Sequence, residues 1–211
     1  RVRFRGEPGG RHDVGDLVEK VPAGALAVVA VPRLRSSLDR LAGAGGQQFG
    51  AILGALPRDV VGLFDRPTVV TLRPASPAPV MTITTKTDDE AAARRALARM
   101  PADLRRAFPS RVSDGTVVIA TRRSGLRNPG GERLKSTRQW TATVGEDPVE
   151  SGSSLLFLDF TKLLALAAQT GLDSDPAFRS AREDLRRLIA AGARIEPGAG
   201  ESTVDLSLLI P

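Results

Sequence analysis

Two stretches of this chain begin alike: Val21-Pro-Ala-Gly24 leads into Ala25-Leu-Ala-Val-Val-Ala-Val31, and Val149-Glu-Ser-Gly152 leads into Ser153-Ser-Leu-Leu-Phe-Leu158. Each apolar run has the length and branching that are typical of a buried strand. After each run, the pattern predicts two helices and a closing hairpin. Because an internal repeat constrains the fold strongly, we predict an α+β protein with two similar β-α-α-β-β units and a central helix–hairpin. The sheets should be mainly antiparallel, with helices on one face.

Apolar spacing and turn residues set the predicted elements. In the first unit we predict two helices followed by two strands, over Arg33–Ala42, Gln47–Leu56, Pro67–Leu72 and Val80–Thr87. The central part begins with a helix capped by Thr87, with Glu90 three residues on, followed by a hairpin that turns at Asp114-Gly115. In the second unit we predict a strand, two helices and two strands, over Ser153–Phe160, Thr161–Gln169, Asp175–Ala190, Gly192–Glu196 and Ser202–Ile210.

These elements divide the chain into four parts. We predict a polar, loosely packed lead-in over residues 1–20 and a first α+β unit with the helix and hairpin over 21–121. A basic connecting segment over 122–148 should lack buried apolar contacts, as exposed loops do, and be the most mobile or partner-dependent part. The second α+β unit occupies 149–211.

Composition excludes several classes of site. The chain has no Cys, which excludes disulfides, thiolate nucleophiles and Cys-based metal centres. Its only histidine, His12, lies in the Gly-rich lead-in, far from any second group that would orient it for catalysis. The stretch Gly43–Gly50 lacks the Lys-Ser/Thr pair of a phosphate loop. We therefore predict no catalytic residue, no metal and no cofactor.

The acidic residues at element ends have a simpler explanation than a site. Asp88, Asp89 and Glu90 stand at a predicted helix start, where capping and the helix dipole favour carboxylates. Asp159, at a strand end, could line a site, but a capping or turn role is the favoured interpretation.

One basic stretch is the best candidate for contact with a ligand or partner. The net charge of +6 is modest, and a cluster of basic side chains near an aromatic ring stands out from the scattered arginines. Such a cluster suits anionic headgroups or single-stranded nucleic acid, while a solvated loop with the ring packed on the core is the alternative. The candidate residues are Arg122, Arg123, Arg127, Arg133, Lys135, Arg138 and Trp140.

The chain also resembles a family of bacterial envelope proteins known only as a domain of unknown function. The resemblance rests on four stretches that occur in the family's order, Val21–Val31, Asp88–Leu97, Gly115–Ala120 and Ser153–Leu163. The first strand departs from the family pattern, with Val31-Pro32 where an acidic residue is expected, whereas the second keeps Asp159. The resemblance implies an extracytoplasmic location behind a removed signal or an N-terminal anchor. It implies no catalytic residues.

Three functions remain open on these grounds. The leading hypothesis is a non-enzymatic extracytoplasmic binding or interaction module, whose partner is another envelope protein or an anionic membrane surface. The first alternative is a carrier or sensor of an apolar ligand or lipid, held in a groove between the sheet and the helices Ala91–Met100 and Thr161–Gln169. The second alternative is nucleic-acid binding through the basic segment, which the modest net charge makes the least favoured of the three.

Overall fold

The chain folds around one open antiparallel sheet. A computed structural model describes residues 2–4, 13–34, 57–76, 78–146, 152–171, 174–197 and 202–211. Within these residues, nine strands are ordered β1-β9-β8-β7-β2-β3-β4-β6-β5 across the sheet. Their bounds are β1 Val2–Phe4, β2 Ala27–Val31, β3 Thr68–Arg73, β4 Val80–Lys86, β5 Ser110–Ser113, β6 Thr116–Ala120, β7 Ser154–Asp159, β8 Ala190–Pro197 and β9 Ser202–Leu209.

Seven α-helices occur in the described ranges, and they are short. Their bounds are α1 Gly15–Val18, α2 Arg58–Gly62, α3 Glu90–Ala98, α4 Ala102–Ala107, α5 Arg138–Thr143, α6 Phe160–Gln169 and α7 Pro176–Leu185. Three 3-10 turns, Leu63–Asp65, Arg123–Leu126 and Leu134–Ser136, complete the regular structure of this part of the chain. The α+β class predicted from the sequence is confirmed.

The two predicted units share this sheet and meet at its centre. β2 pairs with β7 in antiparallel register, from Ala27 opposite Leu158 to Ala30 opposite Leu155. From this central pair, β2-β3-β4 runs outward on one side and β7-β8-β9 on the other, each as an antiparallel meander. Strand order and direction therefore agree between the described parts of the two units, and both units belong to one continuous sheet rather than two.

Local turn chemistry explains the hairpin and corrects one cap. Asp114 and Gly115 both have positive φ, 54° and 65°, as a tight two-residue hairpin turn requires. The prediction that Thr87 caps α3 is wrong, because the carboxylate of Asp89 accepts the bond from the Ala92 N–H at 2.8 Å. The Thr87 hydroxyl instead accepts the N–H of Asp89 at 3.3 Å.

One predicted helix is shorter in the structure, and two others lie almost entirely outside the described residues. The helix predicted over Asp175–Ala190 ends at Leu185, because residues after it already bond to the sheet: Ile189 donates its N–H to Leu209 O at 2.8 Å, and Ala190 pairs with Leu209. The helices predicted over Arg33–Ala42 and Gln47–Leu56 lie outside the described residues, apart from residues 33–34, as do His12 and Gly43–Gly50.

Alternation along the strands gives the sheet two differently covered faces. One face, here called the front face, carries Val28, Ala30 and Phe157, which pack against α1 and α5. The opposite back face carries Val31, Val117 and other apolar residues that pack against α2 and α3. The prediction of helices on one face is therefore wrong, because both faces are apolar and each is covered by helices. On the back face of β8 and β9, Ile195, Leu206 and Leu208 are exposed.

The front face is covered by segments that we predicted to be loosely packed. The interpretation of residues 1–20 as a loose lead-in is wrong for residues 13–20, because Val14, Leu17 and Val18 are buried in the front-face core. With Val21 they follow the i, i+3, i+4, i+7 spacing of an apolar helix face. The β1 strand also pairs with β9. The apolar front face requires this cover, since its residues would otherwise be exposed to water.

A glycine lets one covering segment approach the sheet closely. A Cβ atom on Gly192 of β8 would lie 2.5 Å from the carbonyl oxygen of Thr143, the last residue of α5. Because this neighbour is backbone, the helix end would have to move away from the strand.

We predict that Gly192→Ala lowers the free energy of unfolding by about 1–3 kcal/mol, the usual cost of overpacking. The matched control is Gly130→Ala, since a Cβ there meets nothing within 4 Å. Urea denaturation of the three proteins measures both effects. Equal stability of the two variants would show that α5 does not pack against β8 in this way.

An ion pair between α1 and β4 predicts a dependence of stability on pH. Lys86 Nζ lies 2.8 Å from Asp16 Oδ2, and this hydrogen bond lowers the pKa of Asp16 from its ordinary value of 3.8. Because the pKa is lower in the folded state, the pair stabilises the fold above pH 3.8 and loses this effect as pH falls through the folded-state pKa.

We therefore expect Asp16→Asn to reduce stability at neutral pH by about 0.2–1 kcal/mol, the range for exposed pairs. The difference from the parent protein should shrink as the pH is lowered below the ordinary aspartate range. Thermal unfolding across acidic and neutral pH measures it, and a difference that grew on acidification would contradict the assignment.

Candidate anion-binding surface

Trp140 cannot be part of a ligand-contact surface. Its side chain is only 4% exposed and packs in the front-face core, with its ring centroid 5.5 Å from that of Phe157 at an interplanar angle of 45°. Leu134, in the same basic segment, is 1% exposed. The prediction that residues 122–148 lack buried apolar contacts is therefore wrong, because the segment supplies part of the cover of the sheet.

Three of the predicted contact residues hold that cover in place. Lys135 Nζ pairs with Glu19 Oε1 at 2.7 Å. Arg133 Nη1 donates to Lys20 O at 3.4 Å. Arg122 Nη1 donates to the carbonyl of Ser76, in the β3–β4 connection, at 3.0 Å. Their side chains thus connect the basic segment to neighbouring parts of the fold, while Arg138 is exposed at the start of α5.

The two remaining predicted residues, Arg123 and Arg127, belong to a shared cationic depression. They line an open hollow of about 890 Å³ at the β5 edge of the sheet, together with Arg105 of α4 and Arg111 of β5. Its other lining residues are Pro109, Ser110, Ser124 and Leu126, so the described lining contains no acidic side chain. We call these four arginines the arginine surface.

Sequence reasoning missed Arg105 and Arg111 because they approach the basic segment only in the folded sheet. Arg111 lies opposite Val118 in the β5–β6 hairpin, and the chain then leaves β6 directly into the 3-10 turn Arg123–Leu126. The Asp114-Gly115 turn signal fixes that register. Counting cationic residues on both sides of the predicted hairpin, rather than after it, would have found Arg111.

Gly125 places the 3-10 turn against the sheet. A Cβ on this residue would lie 2.6 Å from Ala120 Cβ and 2.7 Å from Val80 Cγ1, so only glycine allows the approach. The turn is closed by the Gly125 N–H bond to Arg122 O at 2.9 Å. The exposed Arg123 and Arg127 therefore stand at either end of a turn that is fixed on the front face.

A smaller, more enclosed groove adjoins the arginine surface. It opens on the front face of β3, β4 and β6 with a volume of about 170 Å³, and it shares Arg111 and Arg127 with the arginine surface. Hydroxyls from four threonines line it, and we call it the threonine groove; they are Thr71, Thr82, Thr84 and Thr116. Arg73 also lines it, and burial lowers the pKa of its guanidinium.

The carboxylates considered from the sequence have structural partners. Asp159 is 1% exposed, accepts the Lys162 N–H at 3.0 Å and pairs with Lys162 Nζ at 2.8 Å, which caps α6. Asp88 pairs with Arg66, and Glu90 accepts the Gly115 N–H at 2.9 Å. Within the described ranges, no group of three or more His, Cys, Asp or Glu side chains is placed to hold a metal ion.

Comparison of the chain with models of protein families, with curated proteins and with solved structures finds no match. The resemblance to an envelope family therefore stays a prediction from the four stretches that carry it. None of the helices in the described ranges is both long and apolar enough to cross a membrane. The candidate site is thus defined by its own geometry alone.

Trp140 provides a test of the structural role of the basic segment. We expect Trp140→Ala to lower the free energy of unfolding by about 3–5 kcal/mol, as truncation of a buried aromatic ring does. The nearby control Arg138→Ala, at an exposed position, should change it by no more than about 0.5 kcal/mol. Guanidinium denaturation measures both, and a small effect of Trp140→Ala would mean that the ring is not in the core.

Proposed function

We propose that this chain is a non-enzymatic binding module that contacts an anionic membrane surface through the arginine surface. The observation that carries the proposal is the convergence of Arg105, Arg111, Arg123 and Arg127, from three separate elements, on one open hollow with no acidic residue in its described lining. Arginine side chains bind phosphate oxygens in a bidentate manner and at more than one angle. A row of them at a sheet edge suits a surface of lipid headgroups.

The chemistry of these side chains favours binding over catalysis. A guanidinium group does not exchange its proton near neutral pH, so it cannot act as a general acid or base. The carboxylates that the sequence offered, Asp159 and Glu90, are occupied with capping and hairpin contacts, and Asp114 lines the adjoining groove rather than the arginine surface. The arginine surface therefore offers charge and hydrogen-bond donors rather than a reactive group.

Two features favour a membrane surface over the alternative partners. The burial of Trp140 removes the aromatic platform on which nucleic-acid binding depended, and the lining of the arginine surface contains no other aromatic ring among the described residues. The groove that opens on the front face is small and has hydroxyls and cations among its apolar residues, which does not favour a wholly apolar ligand. The extracytoplasmic setting that the resemblance implies would place the module beside such a membrane.

The test compares two double variants of equal charge. Arg105→Ser with Arg123→Ser removes half of the arginine surface, while Arg179→Ser with Arg187→Ser removes two exposed arginines at α7, outside it. We expect the parent protein to sediment with vesicles of phosphatidylcholine and phosphatidylglycerol, but not with phosphatidylcholine alone. The first variant should bind about 30-fold more weakly, at about 1 kcal/mol for each arginine.

Salt provides the second arm of the experiment. Binding by the parent protein should weaken as ionic strength rises, and less steeply in the Arg105/Arg123 variant. The proposal fails if the parent protein does not bind anionic vesicles, or if the two double variants lose the same affinity. Circular dichroism of each variant confirms that its fold is retained.

A further inference from the structure

We propose that the threonine groove is a binding site for one phosphate-class oxyanion, either free phosphate or the phosphoryl group of a small ester. The site differs from the arginine surface in position and chemistry, since four threonines on three neighbouring strands line it together with Val69 and Val118. The two sites share Arg111 and Arg127. The inference does not rest on the proposed function, because residues that belong to the groove alone define it.

Strand register places the hydroxyls side by side. Thr71 of β3 lies directly opposite Thr82 of β4, and Thr84 follows Thr82 on the same face at the next alternate position. Opposed residues in an antiparallel pair have Cβ atoms about 5 Å apart. Thr116 adds a fourth hydroxyl from β6, which donates to the carbonyl oxygen of Ser113 at 2.8 Å. Because all four belong to strands inside the sheet, their positions are fixed before any ligand arrives.

One of these hydroxyls has no partner of its own. Thr82 is 7% exposed, and its Oγ1 atom forms no hydrogen bond with any residue in the part of the chain that the structure describes. A buried hydroxyl without a partner is costly, and in a folded protein it calls for an explanation. An oxyanion in the groove would accept the hydrogen bond that Thr82 has available.

The charges around the floor favour an anion. Four cationic side chains and one carboxylate, Asp114, line the groove; the cations are Lys20, Arg73, Arg111 and Arg127. No acidic side chain in the described part of the chain forms an ion pair with any of the four. Arg73 is also partly desolvated, which lowers its pKa and makes a neighbouring negative charge favourable.

The walls of the groove are joined to each other. On one side lie Leu17, Lys20 and Val21, and on the other lies the stretch from Gly125 to Asn128. Asn128 Nδ2 donates to Lys20 O at 2.9 Å, which connects the two walls directly. The groove is therefore held open at a defined width rather than shaped by the ligand.

Its size limits what can bind. A volume of about 170 Å³ is below the 300–1,000 Å³ of pockets that enclose whole cofactors or drug-sized ligands. One tetrahedral oxyanion fits such a space, with any attached group extending through the open side. Hydroxyl, guanidinium and ammonium donors together are the groups that bind phosphate.

The experiment is a titration followed by amide chemical shifts and by calorimetry. The probes are inorganic phosphate, glycerol 3-phosphate and chloride as the anion control. We expect both phosphates to shift amides of β3, β4 and the Gly125–Asn128 wall, while chloride does not. Tighter binding of glycerol 3-phosphate would identify an ester as the ligand, and tighter binding of inorganic phosphate would identify the free ion.

Thr82→Val is the decisive variant because it removes the hydroxyl and keeps the shape. Since that hydroxyl has no partner in the fold, stability should not fall, whereas phosphate affinity should fall by about tenfold or more. Thr82→Ser should retain binding. Thr161→Val, at an exposed position on α6, is the matched control and should bind as the parent protein does.

A second pair of variants tests the charge. Arg73→Gln should weaken phosphate binding, whereas Arg95→Gln, at an exposed position on α3, should not. The proposal would be overturned if phosphate did not shift the amides of the groove, or if Thr82→Val bound phosphate as tightly as the parent protein does. Vesicle binding separates the two sites: Thr82→Val should leave it unchanged, and the Arg105/Arg123 variant should still bind inorganic phosphate.

Discussion

The antiparallel pairing of β2 with β7 is the contact on which the rest of the structure depends. It joins two meanders, each of which would otherwise expose the edge of its innermost strand. The cross-strand neighbours Val28 and Phe157 are fully buried at this junction. Because the pair lies at the centre of the nine strands that the structure describes, apolar residues of both units form one continuous front face.

That front face determines the role of the segments outside the repeat. Two segments pack on this face and contribute to the same core. They are the stretch Val14–Val21 and the segment that carries Leu134 and Trp140. Gly125 and Gly192 allow the second of these segments, which runs from the 3-10 turn at Arg123 to the end of α5, to approach the strands closely. The threonine groove lies where these two covering segments do not meet. The groove and the neighbouring arginines thus arise from the way in which an apolar sheet is covered.

Local sequence patterns predicted the helices and strands, whereas long-range contacts determined which residues come together at the candidate site. Alternation and the Asp114-Gly115 turn were enough to place the strands from β2 to β9 within a residue or two, because both depend on neighbouring positions, whereas β1 was missed. The helical spacing of Val14, Leu17 and Val18 was present in the sequence but was hidden by polar and Gly-rich surroundings. Arg105, Arg111 and Thr82 gave no local signal, since only sheet order brings them beside residues 123–128. Nor could composition show whether Trp140 faces a ligand or the core.

The central pairing also governs the order in which this chain can fold. Ala30 and Leu155 pair in this contact although they are separated in sequence by on the order of a hundred positions. Closing so long a loop costs conformational entropy before the contact contributes any stabilisation. The hairpins β3–β4, β5–β6 and β8–β9 need only short closures, so they can form first. Until β2 pairs with β7, each half exposes the edge of an apolar strand, to which a strand of another molecule could pair. The β2–β7 pairing that joins the two halves is therefore also the place at which newly synthesised chains associate with one another most readily.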